Sequence, residues 1–431
     1  MSELPRDFVA WMGRQLGDEL PAFLHSYEEP YLRGLRLNPL KAAEGARIEG
    51  IGEPIPWEKN GYYLSVDSQA GAVPLHEAGA YYIQEPSAML PAAVLDAQPG
   101  ENVLDLCAAP GGKTTQLAGR MQGEGLLVCN EPVLKRAQIL SRNVERMGVP
   151  NALVVSAMPD QLAEKWPEGF DAVQVDAPCS GEGMFRRHPE TRDEWTLESR
   201  DGCAKRQAEI LDASARMVRP GGRLVYSTCT LNNVENEDAV AAFCERHPDF
   251  FLEAFELPGA SAPGGMLTCY PHRMRGEGQF VAKLRRSGDG TARLPVDASL
   301  PSPDKNQTKI LCEFDPKAPT PTGVLGDTLV YLPGCPDVRG VKVLRCGLHL
   351  GSVKGKIFMP DHAWAMAMNA PKLPCVPLTE AEAARYQAGE TINVPEELKG
   401  FVLPTLCGLT LGWGKVTGGV MKNHYPKGLR R

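Results

Sequence analysis

Between residues 103 and 227, five short apolar runs alternate with helical stretches across tight glycine- or proline-bearing turns. A chain patterned this way closes as a parallel, doubly wound sheet with helices on both faces. Val103–Leu106 sits between Pro99–Gly100 and Pro110–Gly111–Gly112, and a helix is predicted from about Lys113. Gly125–Cys129, Ala152–Val155 and Ala172–Val175 supply three further strands, with a helix over Leu134–Met147. A long helix over about Cys203–Val218 ends at Pro220–Gly221–Gly222, before a fifth strand, Arg223–Ser227. A helix over Val234–Glu245 and a late strand, Gln279–Leu284, complete the unit.

The 431 residues exceed what one compact core organises, so flanking domains are expected. Residues 1–82 read as a small α/β domain: Phe8, Val9, Met12 and Leu16 fall at helical spacing, and Leu35–Leu37 and Tyr62–Leu64 read as strands. Residues 83–286 hold the doubly wound unit. Residues 287–308, rich in Ser, Pro, Asp and Gly, read as a linker. A β-patterned domain over 309–368 (Thr328–Leu332, Val341–Leu344, then a helical piece near Asp361–Met368) precedes a terminal unit over 369–431. A formal net charge of −7 argues against coating nucleic acid by charge alone, but leaves room for local basic patches. The first twenty residues hold four acids and two arginines with no apolar core, and no apolar stretch approaches membrane length. With twelve cysteines and no C-x-x-C, the chain is expected in a reducing cytoplasm, off the membrane.

Val103-Leu-Asp-Leu-Cys-Ala-Ala-Pro-Gly-Gly-Lys-Thr is a strand, a glycine turn and a helix start, which is where open parallel sheets bind ligands. Gly111 and Gly112 would let the backbone approach a ligand, and the helix start favours a carboxylate or phosphate. Three readings stand: a structural turn, a phosphate loop, or a cradle for the carboxylate of a methionine cofactor. The phosphate loop has Cys107 where its first glycine belongs. Glu131 can be a plain helix-start acid, but it lies about twenty residues past the glycines, where a carboxylate would hold a ribose diol. That spacing favours the cradle.

Asp176-Ala-Pro-Cys179-Ser-Gly-Glu-Gly follows the fourth strand and Ser227-Thr-Cys229-Thr-Leu the fifth, so two thiols and a carboxylate share the rim of the glycine turn. One buried cysteine alone is usually an inert small hydrophobe. His188-Pro189-Glu190 matches the H-x-E of zinc deaminases, but Pro178–Cys179 supplies a single thiolate, so no metal is expected. No histidine of this unit is tied by spacing to Cys229, which speaks against a Cys–His hydrolase.

CAAPGGKT (107–114), DAPCSGEG (176–183) and YSTCTLNNVENE (226–237) resemble the signature segments of the RNA m5C methyltransferases, the family of the NOP2/Sun-type enzymes and the bacterial rRNA small-subunit methyltransferases B and F. The resemblance extends through LRGLRLNPLK (32–41), YYIQEPSAMLP (81–91) and PHRMRGEGQFVAKLRR (271–286). LGWGKVTGGVMKNHYPKGLR (411–430) resembles the PUA-like end of the F branch. It implies a class I methyltransferase sheet, mostly parallel with one antiparallel late strand, between a small N-terminal α/β domain and a C-terminal PUA-like domain. It implies S-adenosyl-L-methionine as cofactor and methylation of a cytosine C5 in small-subunit ribosomal RNA. It assigns the nucleophile to Cys229 and product release to Cys179. Cofactor contacts fall on Cys107, Ala108, Ala109, Pro110, Gly111, Gly112, Lys113, Glu131, Arg136 and Asp176, with Asp176 and Lys113 also near the base. The chemistry needs such groups: cytosine C5 becomes carbanion-like only after a thiolate adds to C6, and a carboxyl at N3 offsets the charge that builds. Two positions depart from the family. Ser156-Ala-Met-Pro-Asp160 lacks the acid often found near the adenine, with Asp160 as substitute candidate, and Gln279 stands where an aromatic is more usual.

Lys415, Lys422, Lys427, Arg430 and Arg431, with His424 and Tyr425, lie in the last seventeen residues, which hold no acid. Arg273, Arg275, Lys283, Arg285 and Arg286 form a second basic cluster. Such patches suit phosphates, and an aromatic can stack on an unpaired base, so an RNA partner is expected, held by a monomer. The competing readings are an RNA-binding assembly factor with a vestigial pocket, and an ATPase built on Gly112-Lys113-Thr114.

Overall fold

The computed structural model describes residues 3–295, 300–368 and 373–430. Among these, nine strands form the central sheet. Across it, the order is Phe250–Leu252, Gln279–Arg286, Val218–Thr228, Phe170–Asp176, Asn102–Asp105, Leu126–Asn130, Ala152–Ser156 and Lys342–Cys346, with Met266–Cys269 pairing Gln279–Arg286 off this path. The five strands from Val218–Thr228 to Ala152–Ser156 are mutually parallel. Neighbouring residues on them enter opposite cores: Leu104, Val128, Val155 and Val173 one, Val103, Leu127, Val154 and Ala172 the other. That double burial is why these runs are continuously apolar. Chain order reverses between Asn102–Asp105 and Phe170–Asp176, which opens a crevice at their carboxyl ends.

The expected elements are present, with four differences. The long helix starts earlier, at Leu197, because the Thr196 hydroxyl accepts from the Ser199 amide at 3.0 Å and closes a polar first turn that carries no apolar period. Pro220–Gly222 lies inside the strand Val218–Thr228, where the register to Phe170–Asp176 shifts, rather than before it. The single antiparallel strand expected is four: Gln279–Arg286, Phe250–Leu252, Met266–Cys269 and, on the far edge, Lys342–Cys346. This last strand comes from the segment read as a separate domain, and it covers the backbone edge of Ala152–Ser156. The expected linker is partly packed: Leu294 and Leu300 lie against the main core, Pro301 accepts from the Val324 amide at 2.9 Å, and a helix begins at Lys305. Residues 296–299 of that segment and 369–372 at the next boundary lie outside the described residues.

The N-terminal sheet, in the order Ile51–Pro54, Gly61–Leu64, Arg33–Leu37, Tyr81–Ile83, shares a core with the terminal module, where Leu35 and Tyr81 join Val376, Tyr386 and Tyr425. The first helix, Arg6–Leu16, packs elsewhere. Phe8, Met12 and Leu16 bury against Phe185, Trp195 and Leu231, behind the loops that carry Cys179 and Cys229. A separate four-stranded sheet, Gly323–Leu325, Thr328–Tyr331, Leu348–Lys354 and Ile357–Pro360, packs Leu329, Leu350 and Phe358 against Leu403 and Trp413 of the terminal module. No described helix is long and apolar enough to cross a membrane.

Candidate active site

The crevice holds a carboxylate bound to an ammonium and, beside them, two thiols in contact. Asp176 ends its strand and accepts from Lys113 Nζ at 2.8 Å and from Ser227 Oγ at 2.8 Å. Burial alone would lower the Lys113 pKa, but the Asp176 charge and hydrogen bond outweigh it and raise it, so Lys113 stays cationic. Cys179 Sγ and Cys229 Sγ lie 3.3 Å apart, both reduced. The hydrogen bond to Cys229, then burial, hold the Cys179 thiol far above the ordinary range, so Cys179 keeps its proton.

The two cysteine loops are tied together by buried acids that the sequence reading did not single out. Glu182 accepts from the Leu231 and Asn232 amides at 2.8 and 2.9 Å, and from Trp195 Nε1 at 3.1 Å. Glu235 accepts from the Ser180 amide and hydroxyl and from Gln207 Nε2. Asn232 Nδ2 reaches both carboxylates at 2.9 Å. Both glutamates are completely buried, and every partner named is a donor, so their buried oxygens are satisfied. The signal was available: each of the two cysteine segments carries an acid, Glu182 three residues after Cys179 and Glu235 six after Cys229. Gly183 completes the joint, because a Cβ there would sit 2.5 Å from the Gly278 carbonyl and 3.0 Å from that of Cys229.

Two cavities meet at these groups. The larger, about 550 Å³, is lined by Cys107, Ala109, Glu131, Arg136, Met158, Asp160, Asp176, Cys179 and Cys229, among others. The smaller, about 310 Å³, is lined by Ala108, Pro110, Gly112, Lys113, Arg187 and Gln279, and again by Cys107, Ala109, Asp176 and Cys229. The turn residues expected together at one ligand are thus divided between two spaces, and Gly111 lines neither. Its φ of +112° starts the helix, and a Cβ on it would meet Leu140 and Asn143 at 3.2 and 3.4 Å, so this glycine serves helix packing rather than ligand approach. Glu131, almost fully buried, pairs with Arg136 at 3.2 Å and caps the Val133 amide at 3.0 Å. Asp160 faces the larger cavity but is bound to Arg216. Pro132, Val133, Met158 and Ile210 give that cavity an apolar side.

The basic residues do not gather at the crevice as two clusters. Arg273 pairs with Glu19 at 2.6 Å, and Arg275 pairs with Glu53 at 2.7 Å while stacking over Tyr63. Lys283, Arg285 and Arg286 lie at the opposite end of the sheet on Glu253 and Asp249, because the antiparallel strand carries them away from the rim. Lys415 and Lys422 face each other across the terminal hairpin and are exposed, as is Lys427. Tyr425 is only 3% exposed, so it is a core ring and not a stacking platform. Arg431 lies outside the described residues. Arg187, exposed at the smaller cavity, was missed; its neighbour Arg186 is riveted to Glu277 at 2.6 Å, while Arg187 makes no hydrogen bond or ion pair with a described residue. His188 pairs with Glu190 at 3.0 Å, and among the described residues no group of three His, Cys, Asp or Glu could hold a metal.

Residues 92–285 match the family described as 16S rRNA methyltransferase RsmB/F. Residues 4–86 match the N-terminal domain of 16S rRNA methyltransferase RsmF, 311–368 the RsmF rRNA methyltransferase first C-terminal domain, and 374–431 the methyltransferase RsmF PUA domain. Ribosomal RNA small subunit methyltransferase F of Shewanella loihica is 33% identical over 100% of this chain and 96% of its own. That of Aeromonas hydrophila is 34% identical over 95% and 93%. Among solved structures, a methyltransferase homolog protein from Pyrococcus horikoshii superposes with a TM-score of 0.56 at 28% identity, over 65% of this chain and 95% of that one. NSun6 from Pyrococcus horikoshii, solved with SFG, shares the fold at a TM-score of 0.57 and 21% identity, over 66% and 99%.

Proposed function

Because the chain belongs to the 16S rRNA methyltransferase RsmB/F family, we infer that it is an S-adenosylmethionine-dependent rRNA methyltransferase that modifies C5 of a cytosine through a covalent bond from Cys229. One observation carries the reading of the site: Cys229 and Asp176 stand in the wall between two cavities, one large enough for the cofactor and the other the size of a base. The larger cavity suits S-adenosylmethionine in its chemistry. Glu131 offers acceptor oxygens for a ribose diol, Pro132, Val133, Met158 and Ile210 offer apolar surface for an adenine, and Cys107 and Ala109 flank Asp176. When bound, the cofactor supplies an electrophilic methyl group.

The chain's own residues do the rest. Cys229 adds through sulfur to C6 of the base, which makes C5 nucleophilic. As charge moves onto N3, that atom takes up the proton released by the Cys229 thiol and Asp176 accepts its hydrogen bond, while Lys113 donates to the same carboxylate at 2.8 Å. After C5 gains its methyl group, a proton leaves C5 to water, the electron pair re-forms the C5–C6 double bond, and the Cys229 sulfur departs. Cys179, 3.3 Å away, hydrogen-bonds that sulfur and passes a proton to it, and is itself reprotonated by the proton that N3 gives up as the neutral methylated base forms.

The target base must leave its stack, at a cost of a few kcal/mol. Residues 1–82 and 369–431 fit the task of gripping flanking RNA, with Lys415, Lys422 and Lys427 on the terminal hairpin and, from the methyltransferase unit, Arg273 and Arg275 beside the N-terminal domain, in a protein acting as a monomer. Bisulfite sequencing of small-subunit rRNA from cells with and without the gene tests the reaction, and Cys229→Ala tests the nucleophile. Full methylation by that variant would refute the assignment.

A further inference from the structure

Gln279 occupies the base-sized cavity in a geometry that leaves one of its amide atoms without a described partner. The side chain is 1% exposed, lines that cavity, and approaches Asp176 Oδ1 through Nε2 at 3.4 Å. A carboxylate has only acceptors, so the amide nitrogen must face Asp176, and the carbonyl oxygen must then point away from it. That oxygen accepts no hydrogen bond from a described residue. The backbone holds it there: Gln279 begins a strand paired to Cys269, and the next residue, Phe280, is fixed opposite Thr228, beside Cys229.

We propose that Gln279 is a specificity-determining residue that reads the exocyclic amine of the target cytosine, its Oε1 accepting from N4–H. The inference rests on the cytosine reading of the site. Cytosine presents an N4 donor next to N3, and Asp176 and Gln279 both offer acceptor oxygens in the same cavity. Uracil offers a carbonyl oxygen at position 4, which would face Oε1 as acceptor against acceptor. A site built around such a hydrogen bond rejects the analogue that lacks it, because its own buried oxygen is left unpaired. Asp176, fixed by Lys113 and Ser227, cannot rotate to replace Gln279 without breaking those bonds.

The test compares two RNA substrates that differ only at the target base, cytosine or pyrimidin-2-one, the same ring without the amine. Single-turnover methyl transfer is measured for the native protein and for Gln279→Met, with Gln279→Leu as the second variant, and S-adenosylmethionine affinity by calorimetry certifies the folded pocket. The intrinsic reactivities of the two rings cancel in the ratio of ratios. The proposal expects the preference for cytosine over pyrimidin-2-one to fall roughly tenfold in the variants, with cofactor affinity unchanged. If both substrates slow by the same factor, Gln279 only positions Asp176 and the proposal is overturned. If the native protein methylates no cytosine, the reading of the site fails instead, an outcome distinct from either.

Discussion

The two ends of the central sheet use the same charged residue types for opposite purposes. At the end where the parallel strands start, each charge named has a partner. Arg223 holds Glu101 at 2.6 Å, Arg219 holds Asp171 at 2.7 Å, Lys283 and Arg285 share Glu253, and Arg286 takes Asp249. At the carboxyl ends, Lys113 is likewise bound to Asp176 and Cys179 to Cys229, but Asp176, Lys113 and Cys229 also face the smaller cavity, and Cys179 faces the larger. The lesson is that ion pairing alone does not separate structure from function. What separates them is whether a pair has an open side where a substrate atom can displace or complete it.

The sharpest way to break this comparison is at the second thiol. With Cys179→Ala, attack through Cys229 remains possible while release is impaired. Turnover is expected to fall by about 10³-fold, with a covalent RNA–protein species accumulating in denaturing gels. A variant that loses turnover without that species would move Cys179 from release to attack. Next comes Lys113→Met, which leaves Asp176 without its cation. Methyl transfer is expected to drop by about 10²-fold, with little change in RNA affinity, as befits charge stabilised at the transition state. Filter binding alongside a rate assay separates the two.

The sequence made the active end legible to different depths. The strand–turn–helix alternation and the motif cysteines placed the crevice, because strand ends in a doubly wound sheet converge wherever chain order reverses. The role of Gly111 was not legible, since a positive φ and the closeness of Leu140 are properties of the folded pair of helices. Nor was the edge strand Lys342–Cys346, whose partner is nearly two hundred residues upstream. The basic residues misled for a related reason. Proximity in sequence put Arg273 and Arg285 in one cluster, yet a strand of eight residues carries them to opposite ends.

Arg187 and Arg273 test whether an arginine without a partner among the described residues counts for more than a paired one. Arg187→Ala is expected to weaken RNA binding by roughly tenfold, in the range of one lost phosphate contact, and to flatten the salt dependence. Arg273→Ala, which first forfeits its bond to Glu19, is expected to change binding less than about threefold. Equal effects, read by anisotropy across a salt series, would erase the distinction.

The smallest effect belongs to the far end, and its pH dependence identifies it. Burial would raise the Glu253 pKa, but hydrogen bonds from Arg285 and Lys283 outweigh it, and the folded value is lowered. A carboxylate depressed by folding contributes stability above its unfolded pKa of about 4.3, and loses that contribution as pH falls through the folded value. The pair is partly solvated, so Arg285→Ala should cost less than about 1 kcal/mol at neutral pH, where Lys283 still holds Glu253. The loss should shrink as pH falls below about 4, because protonated Glu253 no longer distinguishes native protein from variant. Thermal melts from pH 7 down to about 3 read this directly, while methyl transfer stays unchanged. A variant that keeps its stability but loses activity would place Arg285 on the RNA after all, and would leave the contrast between the two ends without its closed half.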